Sequence, residues 1–356
     1  MISGRSYPGT SGFNPSLTRA WIYMGLIAGL TLCLFILDLF LGSVSLKPGD
    51  VVNAILGISD NTTGIIVRQF RLPKAVTALL VGIALSVSGL QMQTLFRNPM
   101  AGPYVLGISS GASLGVAFVV LGFSSEISPE SLSRLGNWMI VAASWVGAGF
   151  VTIIMIYLSS RVKDIMTVLI IGIMISGGIG SLVSILQYFS NETMLKTYVI
   201  WTMGSLGNLT TPQLTVMTVS VAAGIILSFA TVKMLNAFLL GETYAKSIGL
   251  NIRLSRVIIF AGTSILAGSV TAFCGPVGFI GIAVPHIARI IFRTSDHRIL
   301  LPSVVLTGGL VMLLSDILSQ LPGSDNVLPV NSITSLIGIP VVIWVILRKR
   351  KYSEIF

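Results

Sequence analysis

The side chains that could do chemistry in this chain are few, and their spacing fits no common catalytic pattern. There are two histidines, His286 and His297, and two cysteines, Cys33 and Cys274. No H-E-x-x-H or C-x-x-C is present, so neither pair has metal-ligand spacing. One G-x-S-x-G string occurs, GISSG at 107–111, but it lies in an apolar run rather than at the strand-to-helix elbow that a nucleophile of this kind needs, and no G-x-x-x-x-G-K-[ST] offers a phosphate cradle. Nothing in the chain can hydrolyse ATP, so any ATP-driven process must draw on a separate polypeptide. His286, at the end of an apolar run, and His297, in a charged loop, read as structural or interfacial residues. Cys33 and Cys274 lie inside apolar segments and read as small buried residues.

The elements that carry these residues are apolar. Of 356 residues, 53% are hydrophobic and 10% charged, against about 25% charged in a soluble globular chain. Too few charges remain to solvate a water-facing surface, so most of the surface faces lipid. The net charge of +10 does not indicate nucleic acid, because the basic residues are spread through short loops rather than gathered in a stripe with aromatics. No A-x-A cleavage site follows the first apolar run, which reads as a retained span.

A span needs roughly 20 apolar residues. Ten segments qualify: 20–42, 74–96, 104–122, 138–158, 165–187, 213–233, 254–273, 275–292, 299–320 and 328–347. The third and tenth are interrupted by Gly or Pro and are candidates for partial re-entry. The eighth, GPVGFIGIAVPHIAR and beyond, combines close-approach glycines, Gly278 and Gly281, with Pro285 and a basic exit at Arg289. Residues 1–19 form a polar lead and 348–356 a basic tail around this single membrane domain. The positive-inside rule puts 16 of the 22 Lys and Arg on the side of both termini, which is therefore read as cytoplasmic. Between the fifth and sixth spans, 188–212 is too polar to cross. Met194, Tyr198, Trp201 and Met203 fall near helical spacing there and predict a short amphipathic helix at the outer surface.

No Asp, Glu, Lys or Arg falls at mid-depth of a span, where such residues mark ion or proton pathways. Asp38 and Asp316 lie near span ends and read as helix-end polar contacts. Ion-coupled transport therefore has weak support. Three segments on the basic side stand out. RNPMAGP, 97–103, breaks the helix twice. LNAFLLGETYAKSIGLN, 235–251, predicts a short helix from Glu242 to about Ile248, closed by Gly249 and suited to docking a partner. RIIFRTSDHR, 289–298, is a charged connection.

These residues carry a resemblance. The chain resembles the FecCD-type permeases, the membrane subunits of ABC importers for iron-siderophores, haem and cobalamin. The stretches that carry it are RLPKAVTALLVGIALSVSGLQMQTLFRNPMAGPYVLGISSGAS (71–113), LGETYAKSIGL (240–250) and GPVGFIGIAVPHIARIIFRTSDHRILLP (275–302). It implies an all-α, type II importer fold of about ten transmembrane helices in a bacterial inner membrane. It implies a second permease subunit, two ATPase subunits that hold ATP and Mg, and a periplasmic binding protein. This chain is expected to hold no cofactor and to catalyse no reaction. Glu242, Ala245 and Gly249 match the E-x-x-A-x-x-x-G of the helix that fits a groove on the ATPase. Arg71 and Lys74 match the basic R-L-P-R residues that meet the binding protein, with Lys74 lacking the arginine fork. Gln320 stands where a further basic residue is usual. Snorkelling at the interface is the competing reading of Arg71 and Lys74. The resemblance makes Ser159, Ser160, Arg161, Val162, Lys163 and Asp164 an inner gate. It makes Gly172, Gly177, Gly178 and Gly180 path-lining residues of the fifth span, with plain helix packing as the alternative. It makes 192–206 the closure of the outer mouth. Two other classes stay open: an ion-coupled secondary transporter, and a polytopic membrane enzyme, which would need a catalytic cluster at one face.

Overall fold

In lipid, each backbone N–H and C=O needs a partner within the protein, and a helix supplies one locally. The computed structural model describes residues 15–42, 44, 46–58, 62–122, 137–320 and 327–349. Most of the polar lead and of the basic tail lies outside these residues, as do several of the loop charges counted above. Among the described residues every regular element is helical. In order they are α1 (Pro15–Phe40), α2 (Pro48–Ile55), α3 (Thr62–Ile65), α4 (Leu72–Leu95), α5 (Ile108–Ala117), α6 (Asn137–Arg161), α7 (Ile165–Phe189) and α8 (Glu192–Thr202). There follow α9 (Thr211–Ala230), α10 (Val232–Leu239), α11 (Glu242–Ser247), α12 (Ile252–Cys274), α13 (Ile280–Phe292), α14 (His297–Ser319) and α15 (Val330–Lys349). A π-helical turn, Ile66–Arg71, makes α3 and α4 continuous.

Seven described helices are long and apolar enough to cross a bilayer, and three shorter apolar helices join them. Together they follow the ten expected segments in order. The most apolar window of the α3–α4 helix is 78% buried and those of α12 and α14 are 67% buried, against 17% for α1 and 28% for α7 and α9. So α4, α12 and α14 form the centre. α4 runs along α14 and crosses α12 and α13, while α5 packs on α6. The peripheral helices turn apolar faces outward, which corrects the reading of Cys33: it sits on α1 and is exposed, while Cys274 is buried.

The eighth segment differs most from expectation. Only Ile280–Phe292 is helical, 13 residues, or about 20 Å at 1.5 Å per residue, short of the roughly 30 Å hydrocarbon layer. Gly275 and Phe279 both adopt positive φ, 76° and 64°, and Pro276 lies between them, so 275–279 enters the protein as non-helical chain. Such chain survives at membrane depth only when its polar groups are met. Here the side chain of Asn331, on α15, accepts from the Gly278 N–H at 3.0 Å, and the Ser205 N–H donates to the Cys274 carbonyl at 2.9 Å. α13 then crosses α4 with almost no gap. A Cβ on Gly89 would collide with the Gly281 backbone, and one on Gly281 would lie 2.8 Å from Pro103 and 2.9 Å from the Leu85 carbonyl oxygen.

Candidate functional site

The bundle has two ends. One gathers the end of α1, the start of α4, the end of α14 and α8. The other gathers the end of α4, the α6–α7 loop, α10 and α11.

At the second end, Gly241 (φ 103°) turns the chain from α10 into α11, and Gly249 (φ 88°) ends it. Both conformations are costly for a residue with a Cβ. Beyond α11 the Leu250 N–H reaches the Ala245 carbonyl and the Gly249 N–H that of Lys246, both at 3.0 Å, a glycine closure of the Schellman kind. Ala245 is fully buried and faces the chain's own core. What the unit presents outward is Leu240, Tyr244 and Ile248, which are 64%, 47% and 58% exposed and four residues apart. They stripe one side of the turn, where a bundle end should meet water.

Two clamps hold this unit. The Asn236 carboxamide donates to Asp296 at 2.7 Å and accepts from the His297 backbone N–H at 2.9 Å. The His297 ring lies 2.8 Å from both Asn236 and the Thr94 hydroxyl. His297 thus opens α14 and is fully buried, where the charge of its neighbourhood predicted a loop. The second clamp is Arg256 on α12, which forks onto Glu242 at 2.7 and 2.9 Å and also donates to the carbonyls of Val162 and Lys163 at 3.1 and 2.9 Å. His286 is buried with its Nε2 2.8 Å from the Pro99 carbonyl, which pins the 97–103 turn.

The expected gate residues form the end of α6 and the short loop into α7. Ser159 is buried, Ser160 donates to the Tyr157 carbonyl at 2.7 Å, and the Arg161 guanidinium lies 5.4 Å over the Tyr157 ring. Val162 and Lys163 offer their carbonyls to Arg256. Asp164 caps α7, accepting from the Thr167 hydroxyl and N–H at 2.9 Å and from the Met166 N–H at 3.3 Å. The Thr167 hydroxyl first, and then the two backbone donors, hold its carboxyl below the usual carboxylate range.

Along α7, Gly172 touches the Val105 carbonyl, whereas Cβ atoms at Gly177, Gly178 and Gly180 would meet nothing within 4 Å. The same helix leaves Met174, Tyr188 and Phe189 70%, 84% and 78% exposed. After it, Asn191 caps α8, which buries Met194 and Tyr198 and leaves Met203 outward. The expected short helix is present with Met194 and Tyr198 inward, but Met203 departs from that face, and Val199 and Ile200 are also exposed.

At the first end, Arg71 is buried. Its guanidinium donates to the carbonyls of Leu39 and Phe40 at 3.0 and 2.9 Å and to that of Val44, so it ties down the chain leaving α1. The Lys74 ammonium lies 3.0 Å from Asp316, with the two side chains 20% and 0% exposed. Gln320 donates to Asp38 at 2.6 Å and to Asp316 at 3.2 Å, so the residue standing in for a basic one bridges two carboxylates. A cavity of ≈ 810 Å³ opens here, bordered by Arg71, Lys74, Trp201, Asn208, Gln213 and Gln320. The reading of Asp38 and Asp316 as helix-end polar contacts holds, whereas sequence reasoning missed the pairing of Lys74 with Asp316 and the role of Arg256. For the pairing, opposite charges at the same end of two spans were the available signal. For Arg256 there was only a charge beside the start of a span.

Among the described residues, an all-helical bundle with seven membrane-length helices, outward apolar faces and an exposed apolar stripe at one end has the form of a polytopic membrane protein. Comparison with known proteins gives the family: the FecCD transport family model matches residues 30–348, and the chain belongs to that family. The vitamin B12 import system permease BtuC of Salmonella typhi is 33% identical over 323 residues, 90% of this chain and 94% of its own length. The hemin transport system permease HmuU of Yersinia pestis is 35% identical over 285 residues, covering 80% and 83%. A metal-chelate type ABC transporter solved in an inward-facing conformation superposes with a TM-score of 0.78 at 25% identity, covering 92% of this chain and 99% of that one.

Proposed function

We propose that this chain is the membrane subunit of an ATP-driven importer for a bulky metal chelate of the iron-siderophore, haem or cobalamin type, pairing with a second copy of itself. Two ATPase subunits dock at the end that carries α11, in the cytoplasm with both termini. A periplasmic binding protein delivers cargo to the opposite end of an inner-membrane pair. The observation that carries this reading is the exposed stripe of Leu240, Tyr244 and Ile248, which runs across the short, glycine-closed α11 and the residues flanking it, with Glu242 held by Arg256. A patch of this kind marks a protein interface rather than a solvated loop. The identities of the relatives support the substrate class.

In this reading Glu242 fixes the register of α11 against the ATPase, Ala245 seats the helix on its own core, and Gly249 ends it. Residues 159–164 close the inner end of the path. α7 faces the partner copy and the cargo through Gly177, Gly178 and Gly180, with Gly172 as its anchor on the 103–106 turn. At the outer rim Lys74 is the residue with reach to a binding protein, and Arg71 shapes the rim from beneath.

Purification of the tagged chain should bring down an ATPase subunit, and Tyr244→Asp with Ile248→Asp should release it while leaving the bundle folded. Retention of the ATPase by that double variant sinks the assignment of α11.

A further inference from the structure

Arg256 lies in the first turns of α12, and its side chain is 4% exposed. One edge of the guanidinium, Nε and Nη2, takes Glu242 at 3.2, 2.7 and 2.9 Å. The other reaches the far side of the junction, with Nη1 on the carbonyls of Ser159 at 3.3 Å and Val162 at 3.1 Å and Nη2 on that of Lys163 at 2.9 Å. Those carbonyls belong to the end of α6 and the turn after it, where helix carbonyls have no intrahelical donor and a cation is favoured. A planar, always-charged fork can serve a carboxylate and a carbonyl cluster together, which a lysine head cannot do.

We infer that Arg256 is a positioning residue that links α11 to the 159–164 loop, so that a displacement of α11 is handed to the start of α7 through one rigid guanidinium. The inference rests on the proposed roles of α11 and of that loop. The two sides of the link differ in what lies beyond them. Past Glu242 is the exposed stripe of Tyr244 and Ile248. Past Lys163 is Asp164, which caps the helix whose Gly177, Gly178 and Gly180 face open space. A push on the stripe therefore has a continuous polar route to the base of α7, and carbonyls on that route cannot be reached by any charge pair that lacks N–H donors.

The test uses the full complex, permease and ATPase, in nanodiscs, with Met166→Cys, an exposed position at the start of α7, spin-labelled on both copies of the permease. The distance between the labels should change on adding ATP in the otherwise unaltered protein. With Arg256→Lys the ATPase should stay bound and hydrolyse ATP, the distance should stay at its resting value, and uptake should fall about tenfold or more, the scale of one lost charge-assisted hydrogen bond. The exchange Arg256→Glu with Glu242→Arg restores an ion pair but no donor to the loop, so it should not restore uptake. A label distance that responds to ATP normally in Arg256→Lys, or uptake recovered by the exchange, overturns the link. If Arg256→Lys does not assemble, Glu242→Gln, which keeps the shape and removes the charge, must show the same unresponsive distance or the link fails. If the parent complex itself shows no ATP response, the fault lies with the coupling reading and not with Arg256.

Discussion

Replacing Lys74 by Met should unfold the Arg71 end of the bundle more readily, by an amount that the geometry sets. The Lys74 ammonium is 3.0 Å from an Asp316 carboxylate whose side chain is fully buried, and Asp38 lies behind Gln320, itself bonded to both acids. At that separation the attraction is about 5.5 kcal/mol for an effective dielectric of about 20. Both desolvation and the remaining polar contacts reduce the net worth of the pair, but removing one partner leaves a buried carboxylate beside a second one, which typically costs roughly 3–5 kcal/mol. Removing both partners costs less, because one buried carboxylate, Asp38 on Gln320, then remains instead of two. Equilibrium unfolding in mixed micelles, followed by tryptophan fluorescence, should therefore show Lys74→Met strongly destabilised and Lys74→Met with Asp316→Leu partly recovered. A double-mutant cycle then gives the coupling directly. If Lys74→Met costs under about 1 kcal/mol, the size of an exposed pair, the ammonium is serving solvent or a partner and the buried-cluster argument is wrong. An unchanged stability combined with weakened binding-protein capture would return Lys74 to a pure docking role.

Other outcomes follow from single contacts. Gly89→Ala should separate α4 from α13 and cost about 1–3 kcal/mol by overpacking, read as a lowered unfolding midpoint; a wild-type midpoint would mean the helices part freely. Asp164→Ala should fray the start of α7, measured as faster amide exchange at Met166 and Thr167. Because the folded Asp164 carboxyl titrates below its unfolded value, its contribution is complete above about pH 4 and fades only as the pH falls through the lower folded value. Exchange at those amides should therefore show no cap-dependent change between pH 5 and 8. Glu242→Arg sets two guanidinium groups against each other and should leave ATP hydrolysis running while uptake stops; coupled uptake in that variant would remove Glu242 from the transmission route.

Much of the bundle was legible because hydropathy and helix punctuation are local properties. Pro15, Pro48, Pro73, Pro103 and Pro212 sit in first turns, and Asp164, Asn191, Asn251 and Asp296 cap the helices that follow them. The short α11 was legible for the same reason, with Gly249 marking its end. What could not be read depends on partners far along the chain. Hydropathy scores 275–292 as one span, but the positive φ of Phe279 and the support of Asn331 are tertiary facts that shorten its helix to 13 residues. His297 looked like a loop residue because its neighbours are charged, whereas Thr94 and Asn236 give its ring a buried site. The inward turn of Ala245 follows from how α11 lies on the core around Phe238, which no spacing in the sequence specifies. Arg256 counted only as one more positive charge on the basic side, because its acceptors other than Glu242 are backbone carbonyls about ninety residues earlier, and carbonyls leave no mark in a sequence.

The central claim is that transport through this chain is driven by ATP hydrolysed on another. The most direct measurement reconstitutes the permease in liposomes with and without its co-purified ATPase, supplies a binding protein, and follows labelled haem, cobalamin and ferric siderophore. The account predicts that one of these chelates accumulates only when both the ATPase and ATP are present on the side of α11. Uptake that proceeds without the ATPase and follows a proton or sodium gradient would contradict it.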